Sequence, residues 1–477
     1  MTANDRYESH LSTRYASRAM SELWSDMRRA RTWRRIWTAL AEAQKAAGLP
    51  IADAQIAGLK AHLDDVDLAK AAEWERRLRH DVMAHVHTLK DQCPEAGPII
   101  HLGATSCDVT DNADLIVIRE ALRMIERKLL VAITRLRTFA LAERTRPCVG
   151  FTHFQPAQIT TVGKRATLWL QDFVLDLEEL RFAVSTLRFR GLRGATGTQD
   201  SFLKLLGGDA ARVRELERDF AARLGWSELI GVCGQTYTRK QDARVLNALS
   251  AIAQSASKMA GDLRLLCHEN ELEEPFGKEQ IGSSAMAYKR NPMRSERIGA
   301  LSRFLIILAQ NPAHTAATQW LERTLDDSAN RRLALTEGFL AADAVLELVL
   351  NVTSGLVVRG NVIARHVREQ LPFIASEEIL MHAVKAGGDR QELHEVIRTL
   401  SIEAHERVKE EGLPNDFLAR AEAHPVLGPV VRAMGDALAP ERFTGLAAEQ
   451  VESFIAERVD PLLEGDDFGA VADEVRV

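Results

Sequence analysis

Patterns that form strands are almost absent from this 477-residue sequence, and aromatic residues (6%) and proline (14 positions) are sparse. With few alternating β-branched runs between turns, the chain is not a β-sandwich or barrel. Long apolar runs are missing as well. The longest stretches, such as residues 304–309, fall far short of the ~20 residues that cross a bilayer, and residues 1–6 are polar and lead into no apolar signal region. Positive charge is not in excess: 61 Lys and Arg against 67 Asp and Glu leave a net charge of −6, without the overall basic footprint of a nucleic-acid binder. The five cysteines (93, 107, 148, 233 and 267) are never closer than 14 positions, so they form neither a Cys-x-x-Cys knuckle nor a dense disulfide framework. A reduced, cytoplasmic setting is the expectation.

What the sequence does have is helical periodicity. Hydrophobic residues at 46% and charged residues at 27% suit a globular chain with large cores. From Ala113 to Arg144, apolar residues fall at Leu115, Ile118, Leu122, Ile125, Leu129, Leu136 and Phe139. These steps of three and four make one stripe of a helix roughly 45 Å long. Similar stripes run over 162–187 and 240–267, with further helices at 298–309 and 333–356. Helices this long would leave sides uncovered in a lone small bundle, so self-association is expected. Breaks at Gly48-Leu49-Pro50, at residues 93–98, and at Gly387-Gly388, Gly412-Leu413-Pro414 and His424-Pro425 set off both ends of the chain. The reading is all-α with three helical domains: 1–105, a central long-helix bundle at 106–358, and 359–477.

The most informative segment is Gly282-Ser283-Ser284-Ala285-Met286-Ala287-Tyr288-Lys289-Arg290-Asn291-Pro292. Glycine and small hydroxyl residues let backbone N–H groups approach a ligand, and Lys289, Arg290, Arg294 and Arg297 supply positive charge ahead of a helix that starts near Met293. This is the chemistry of an anion-binding loop, although on composition alone a solvated basic turn fits equally well. Residues 103–112 read as a capping turn, with Thr110 or Asp111 starting the long helix. His153, close to Pro156, reads on its own as a structural histidine. His80 and His87 share a helical face but His85 lies off it, and no Cys or carboxylate completes a zinc spacing there. Gly191, Gly194 and Gly197 lack the preceding strand of a dinucleotide fingerprint. No metal and no cofactor is expected.

The loop resembles the signature of the fumarase/aspartase superfamily, Gly-Ser-Ser-x-Met-Pro-x-Lys-x-Asn-Pro, at seven positions of eleven. Ala287 departs from it where the pattern has proline, which should leave the loop less pre-organised. Residues 103–112 and 150–158 resemble two further regions of the superfamily, in the same order. Four flanking strings, Arg79–His87, Gly234–Lys240, Tyr288–Arg297 and Glu322–Arg332, are similar to the branch, found in animals among others, that acts on adenylosuccinate.

This resemblance implies β-elimination of fumarate from adenylosuccinate, giving AMP, and from the succinylated aminoimidazole carboxamide ribotide of purine synthesis. It also implies a homotetramer with active sites shared between subunits. By the same resemblance His153 is the general acid and Ser283 the general base, with Lys289 and Asn291 assisting. Arg14, Tyr15, Arg79, His80, Asp81, Thr105, Ser106, Thr152, Gln235, Arg297, Arg323, Ser328 and Arg332 bind substrate. Charge agrees with this: a substrate carrying about −4 needs several forked donors, which arginine supplies better than lysine. Any one of these arginines could instead be a surface charge or part of an ion pair. Two rival readings are another lyase of the superfamily and a non-catalytic scaffold that has kept the fold.

Overall fold

The computed structural model describes residues 7–277 and 279–464. Five helices form its centre: Ser106–Ala142, Val162–Ser185, Lys240–His268, Met293–Leu308 and Asp326–Thr353. The first has 37 residues, about 55 Å at 1.5 Å per residue. Its predicted stripe is the buried one, since Leu115, Ile118, Leu122, Ile125, Leu129 and Leu136 are all at most 1% exposed. The helix begins earlier than expected, at Ser106 rather than at Thr110 or Asp111. The Asp108 carboxylate accepts the Thr105 N–H at 2.7 Å, satisfying a terminal donor and favouring the start there. Asp326–Thr353 is the innermost helix. Every residue from 338 to 350 is buried, because the Ser106–Ala142, Lys240–His268 and Met293–Leu308 helices all pack against it.

The head does not form a core of its own. Trp33, Ile36, Trp37, Leu40 and Val82 join the same apolar cluster as the bundle. The tail has a separate small core, including Ile379, Leu393, Phe417 and Leu427, and the chain then returns to the bundle through Ile455 and Val459. Among the described residues no helix is long and apolar enough to cross a membrane.

Strands are few but well placed. Pro147–Thr152 and Gln155–Thr161 form an antiparallel hairpin with Thr152 paired to Gln155, and Leu272–Glu273 pairs with Val357–Val358. Leu168, Leu175 and Phe182 lie seven residues apart on the Val162–Ser185 helix, and all three are exposed, as are Leu265, Phe304 and Ile307 on neighbouring helices. Seven-residue spacing keeps such side chains on one helical face, so the single chain leaves an apolar stripe uncovered.

Within the bundle, buried Lys128 reaches Asp343 and, at 2.6 Å, Glu347, while Asp343 also accepts the Ser17 N–H at 2.6 Å. Removing the cation would take a buried positive charge away from two buried carboxylates. Lys128→Ala is therefore expected to cost about 3–5 kcal/mol of stability, read as a lower denaturant midpoint; an unchanged midpoint would contradict this.

Candidate active site

Two helices of the head meet at Arg79 and His80. Arg79 ends the Leu68–Leu78 helix in the left-handed region, at φ 55°, an uncommon conformation for a residue with a side chain and one often kept at functional positions. His80 caps the next helix: its Nδ1 accepts the Met83 N–H at 3.3 Å. In the neutral ring that leaves the proton on Nε2, which lies 3.4 Å from Ser106 Oγ. Asp81 accepts from Arg332 at 2.7 Å.

These residues line a cavity of about 930 Å³ together with Ser106, Gln235, Arg323 and Ser328. Eight of the sequence-derived binding residues thus come together in one place: Arg79, His80, Asp81, Ser106, Gln235, Arg323, Ser328 and Arg332. Thr105 immediately precedes Ser106 at the same helix start.

Under the cavity lies an ionic lattice. Arg239 donates to both oxygens of Asp111 at 3.1 Å and to Asp327 at 2.8 Å. Arg331 binds Asp242 at 2.7 Å and Asp114 at 2.9 Å, and also donates to the Tyr237 hydroxyl. That hydroxyl in turn donates to Asp242 at 2.6 Å. Buried Arg190 pairs with Asp108, which also accepts the Arg193 and Gly194 N–H groups. Burial pushes the Asp111 carboxyl up, but Arg239, Arg331 and Arg190 more than reverse that and hold it below the usual carboxylate range. Cys107, beside the cavity, is pushed up to about 12 by burial and then by the Asp111 charge, so it remains a thiol.

The lattice positions the cavity wall. Asp327 accepts from Arg323 at 2.8 Å as well as from Arg239, and the Tyr237 N–H donates to Asp111 at 2.9 Å, fixing the segment that carries Gln235. The Gln235 N–H also donates to the Glu322 carbonyl at 2.9 Å. None of Asp108, Asp111, Asp114, Arg239, Asp242, Asp327 and Arg331 was given a role from sequence. Part of their signal was there, as three aspartates at 108, 111 and 114 with helical spacing, but the first two fell in the segment read as a capping turn.

The remaining candidates do not line this cavity. Thr152 and His153 sit on the exposed end of the hairpin. His153 and Phe154 form its two-residue turn with φ of 53° and 55°, a geometry that usually takes Asn-Gly. Arg14, Tyr15 and Arg297 form a second group, with the guanidinium carbons of Arg14 and Arg297 at 5.9 and 5.8 Å from the Tyr15 ring centre. Ser283, Lys289 and Asn291 lie on the polar loop ahead of the Met293–Leu308 helix. There Ser283 Oγ accepts the Ala285 and Met286 N–H groups at 3.3 and 3.1 Å, and Asn291 donates to the Gly282 carbonyl at 2.8 Å.

A long-helix bundle carrying an arginine-lined cavity and a Gly-Ser-Ser loop defines a lyase of the fumarase/aspartase type. Residues 5–304 match the family model described as Lyase, and residues 372–454 match the one described as Adenylosuccinate lyase C-terminus. The chain is 49% identical over 463 residues to adenylosuccinate lyase of Saccharomyces cerevisiae, with 96% of each chain covered. It is 45% identical to that of Schistosoma mansoni, again with 96% of each covered. The chain belongs to the adenylosuccinate lyase family. In fold it is similar to the fumarate lyase from Mesorhizobium sp. BNC1, with a TM-score of 0.80 and 23% identity over 95% of this chain and all of that one.

The lattice predicts a divided effect for Asp327→Asn, which loosens Arg323 and leaves Arg239 with one full counter-charge. KM should rise about tenfold, the scale of one lost charge-assisted contact, with a lower melting temperature. Unchanged KM in the folded variant would contradict the assigned coupling.

Proposed function

We propose that this chain cleaves adenylosuccinate to AMP and fumarate, and the succinylated aminoimidazole carboxamide ribotide to its free carboxamide and fumarate. The observation that carries the reading is the cavity: eight polar and cationic groups face one space, with buried ion pairs behind Arg323 and the Gln235 segment, on a chain whose full-length relatives bear this activity in their names. A substrate with two carboxylates and a phosphate needs that concentration of donors. Arg79, His80 and Asp81 suit the phosphate end. Gln235, Thr105 and Ser106 suit the succinyl end. Arg14, Tyr15, Thr152, Arg297, Arg323, Ser328 and Arg332 complete the binding set.

The chemistry is β-elimination. Ser283 takes the proton from the carbon beside a carboxylate, the C–N bond breaks, and His153 gives a proton to the leaving nitrogen. A serine is a weak base. The two backbone N–H groups already directed at Ser283 Oγ support an oxyanion there, with Lys289 supplying charge. Lys289 and Asn291 also hold the carboxylate as negative charge builds on it.

Neither the hairpin end nor the Ser283 loop lines the cavity of the single chain, and an apolar stripe of the bundle is uncovered. Both features support a homotetramer that gathers the three parts from different subunits. All five cysteines are unpaired, which suits a reducing compartment and hence the cytoplasm.

Side-by-side fumarate assays with adenylosuccinate, argininosuccinate and aspartate test the substrate, and turnover of adenylosuccinate alone is expected. Ser283→Ala and His153→Ala should each lower kcat by orders of magnitude in folded protein. Refolded together, the two inactive variants should regain activity, because about a quarter of mixed sites would receive both intact residues. No recovery would contradict shared sites.

A further inference from the structure

The loop that carries Ser283, Lys289 and Asn291 joins two roots, residues 272–274 and the Met293–Leu308 helix. The helix has no side-chain cap from the residue before it, Pro292. Its cap comes from the other root. Glu274, 5% exposed, accepts the Arg294 N–H on one carboxylate oxygen at 3.0 Å. Its other oxygen accepts the Ser295 N–H at 3.0 Å and the Ser295 hydroxyl at 3.1 Å. A carboxylate against a helix N-terminus is favoured by both the free N–H groups and the dipole. Here the capping residue lies about twenty positions upstream, so the cap also closes the base of the loop.

Other contacts repeat the closure. Arg294 reaches the Pro275 carbonyl and, at 3.0 Å, Gln280. Glu273 accepts two bonds from Arg359, at 3.0 and 2.7 Å, and lies 3.4 Å from Arg290. Of these contacts, Glu274 alone provides a buried charge with all its bonds on the helix start. With Ala287 in place of the pattern's proline, the loop has one fewer internal restraint, so its order depends more on its roots.

We infer that Glu274 is a positioning residue for the elimination: it fixes the base of the Ser283 loop to the helix start and so sets where Ser283 and Lys289 stand. This rests on the proposed role of Ser283. The carboxylate touches no substrate and acts through the loop. An angstrom of misplacement at a reacting atom costs far more rate than binding.

The experiment is a double-mutant cycle on the full chain with adenylosuccinate, alongside a trypsin digest. Glu274→Gln keeps the shape and removes the charge. It should lower kcat at least about tenfold with KM changed less than about threefold, and the melting temperature should stay close to that of the parent. On a Ser283→Ala background the same change should cost nothing further, because both act through one group. Trypsin should cut after Arg290 faster in Glu274→Gln, read by mass spectrometry. Parental kcat in Glu274→Gln, or the same fractional loss on both backgrounds, would overturn the inference. If Glu274→Gln does not fold, Ser295→Ala removes one of the three bonds and should show the same pattern in smaller degree; parental kcat and digestion rate there would overturn it. If Ser283→Ala keeps its turnover, the base assignment falls, and the digest alone decides whether Glu274 orders the loop.

Discussion

The site depends on the buried pairing of aspartates from three bundle helices with arginines on or beside two of them. A chain with net charge −6 must nonetheless present a cluster of arginines to a polyanion. Crowded guanidiniums repel one another unless carboxylates lie behind them. Asp111, Asp242 and Asp327, all at most 2% exposed in their side chains, provide that backing for Arg239, Arg331 and Arg323. Because the pairs cross between the Ser106–Ala142, Lys240–His268 and Asp326–Thr353 helices, the same contacts that balance the charge also fix the relative positions of those helices. Ion pairs this deep are expensive to desolvate and weak evidence of stability. Their placement directly beneath the cavity gives them a different value, which is precision at the arginines that face it.

The other parts of the chemistry are held by different means. His153 stands on a hairpin turn whose two residues both adopt left-handed backbone without a glycine. Ser283 stands on a loop whose ends are joined by Glu274. These two carry the proposed acid and base, and neither lines the cavity of its own chain. Long helices with uncovered apolar faces offer the means of bringing such parts together, which is the basis of the proposed shared site.

Much of this was legible in the sequence. Three- and four-residue spacing of apolar residues identified the long helices, and the Leu115 to Leu136 stripe is the buried one. The Gly-Ser-Ser loop and the flanking strings identified the family, which the full-length relatives bear out. The helix start was misplaced by four or five residues because Asp111 looks like a capping residue, whereas the tertiary structure uses it as a buried counter-charge and Asp108 serves the cap. The hairpin was missed because its strands, PCVGFT and QPAQITT, lack apolar–polar alternation and its turn residues are His153 and Phe154 where Asn-Gly is usual. Glu274 could not be read at all: a glutamate capping a helix across a loop leaves no local pattern, since its partners, two backbone N–H groups and the Ser295 hydroxyl, are distant in sequence.

A diffraction structure of the Ser283→Ala variant soaked with adenylosuccinate tests the central claim most directly. The account predicts the nucleotide in the cavity above the Asp111–Arg239 pair, with Arg79 and Arg332 of one subunit near it, the His153 hairpin of a second, and the loop of a third. A nucleotide bound away from that cavity, or enclosed by a single subunit, would contradict it.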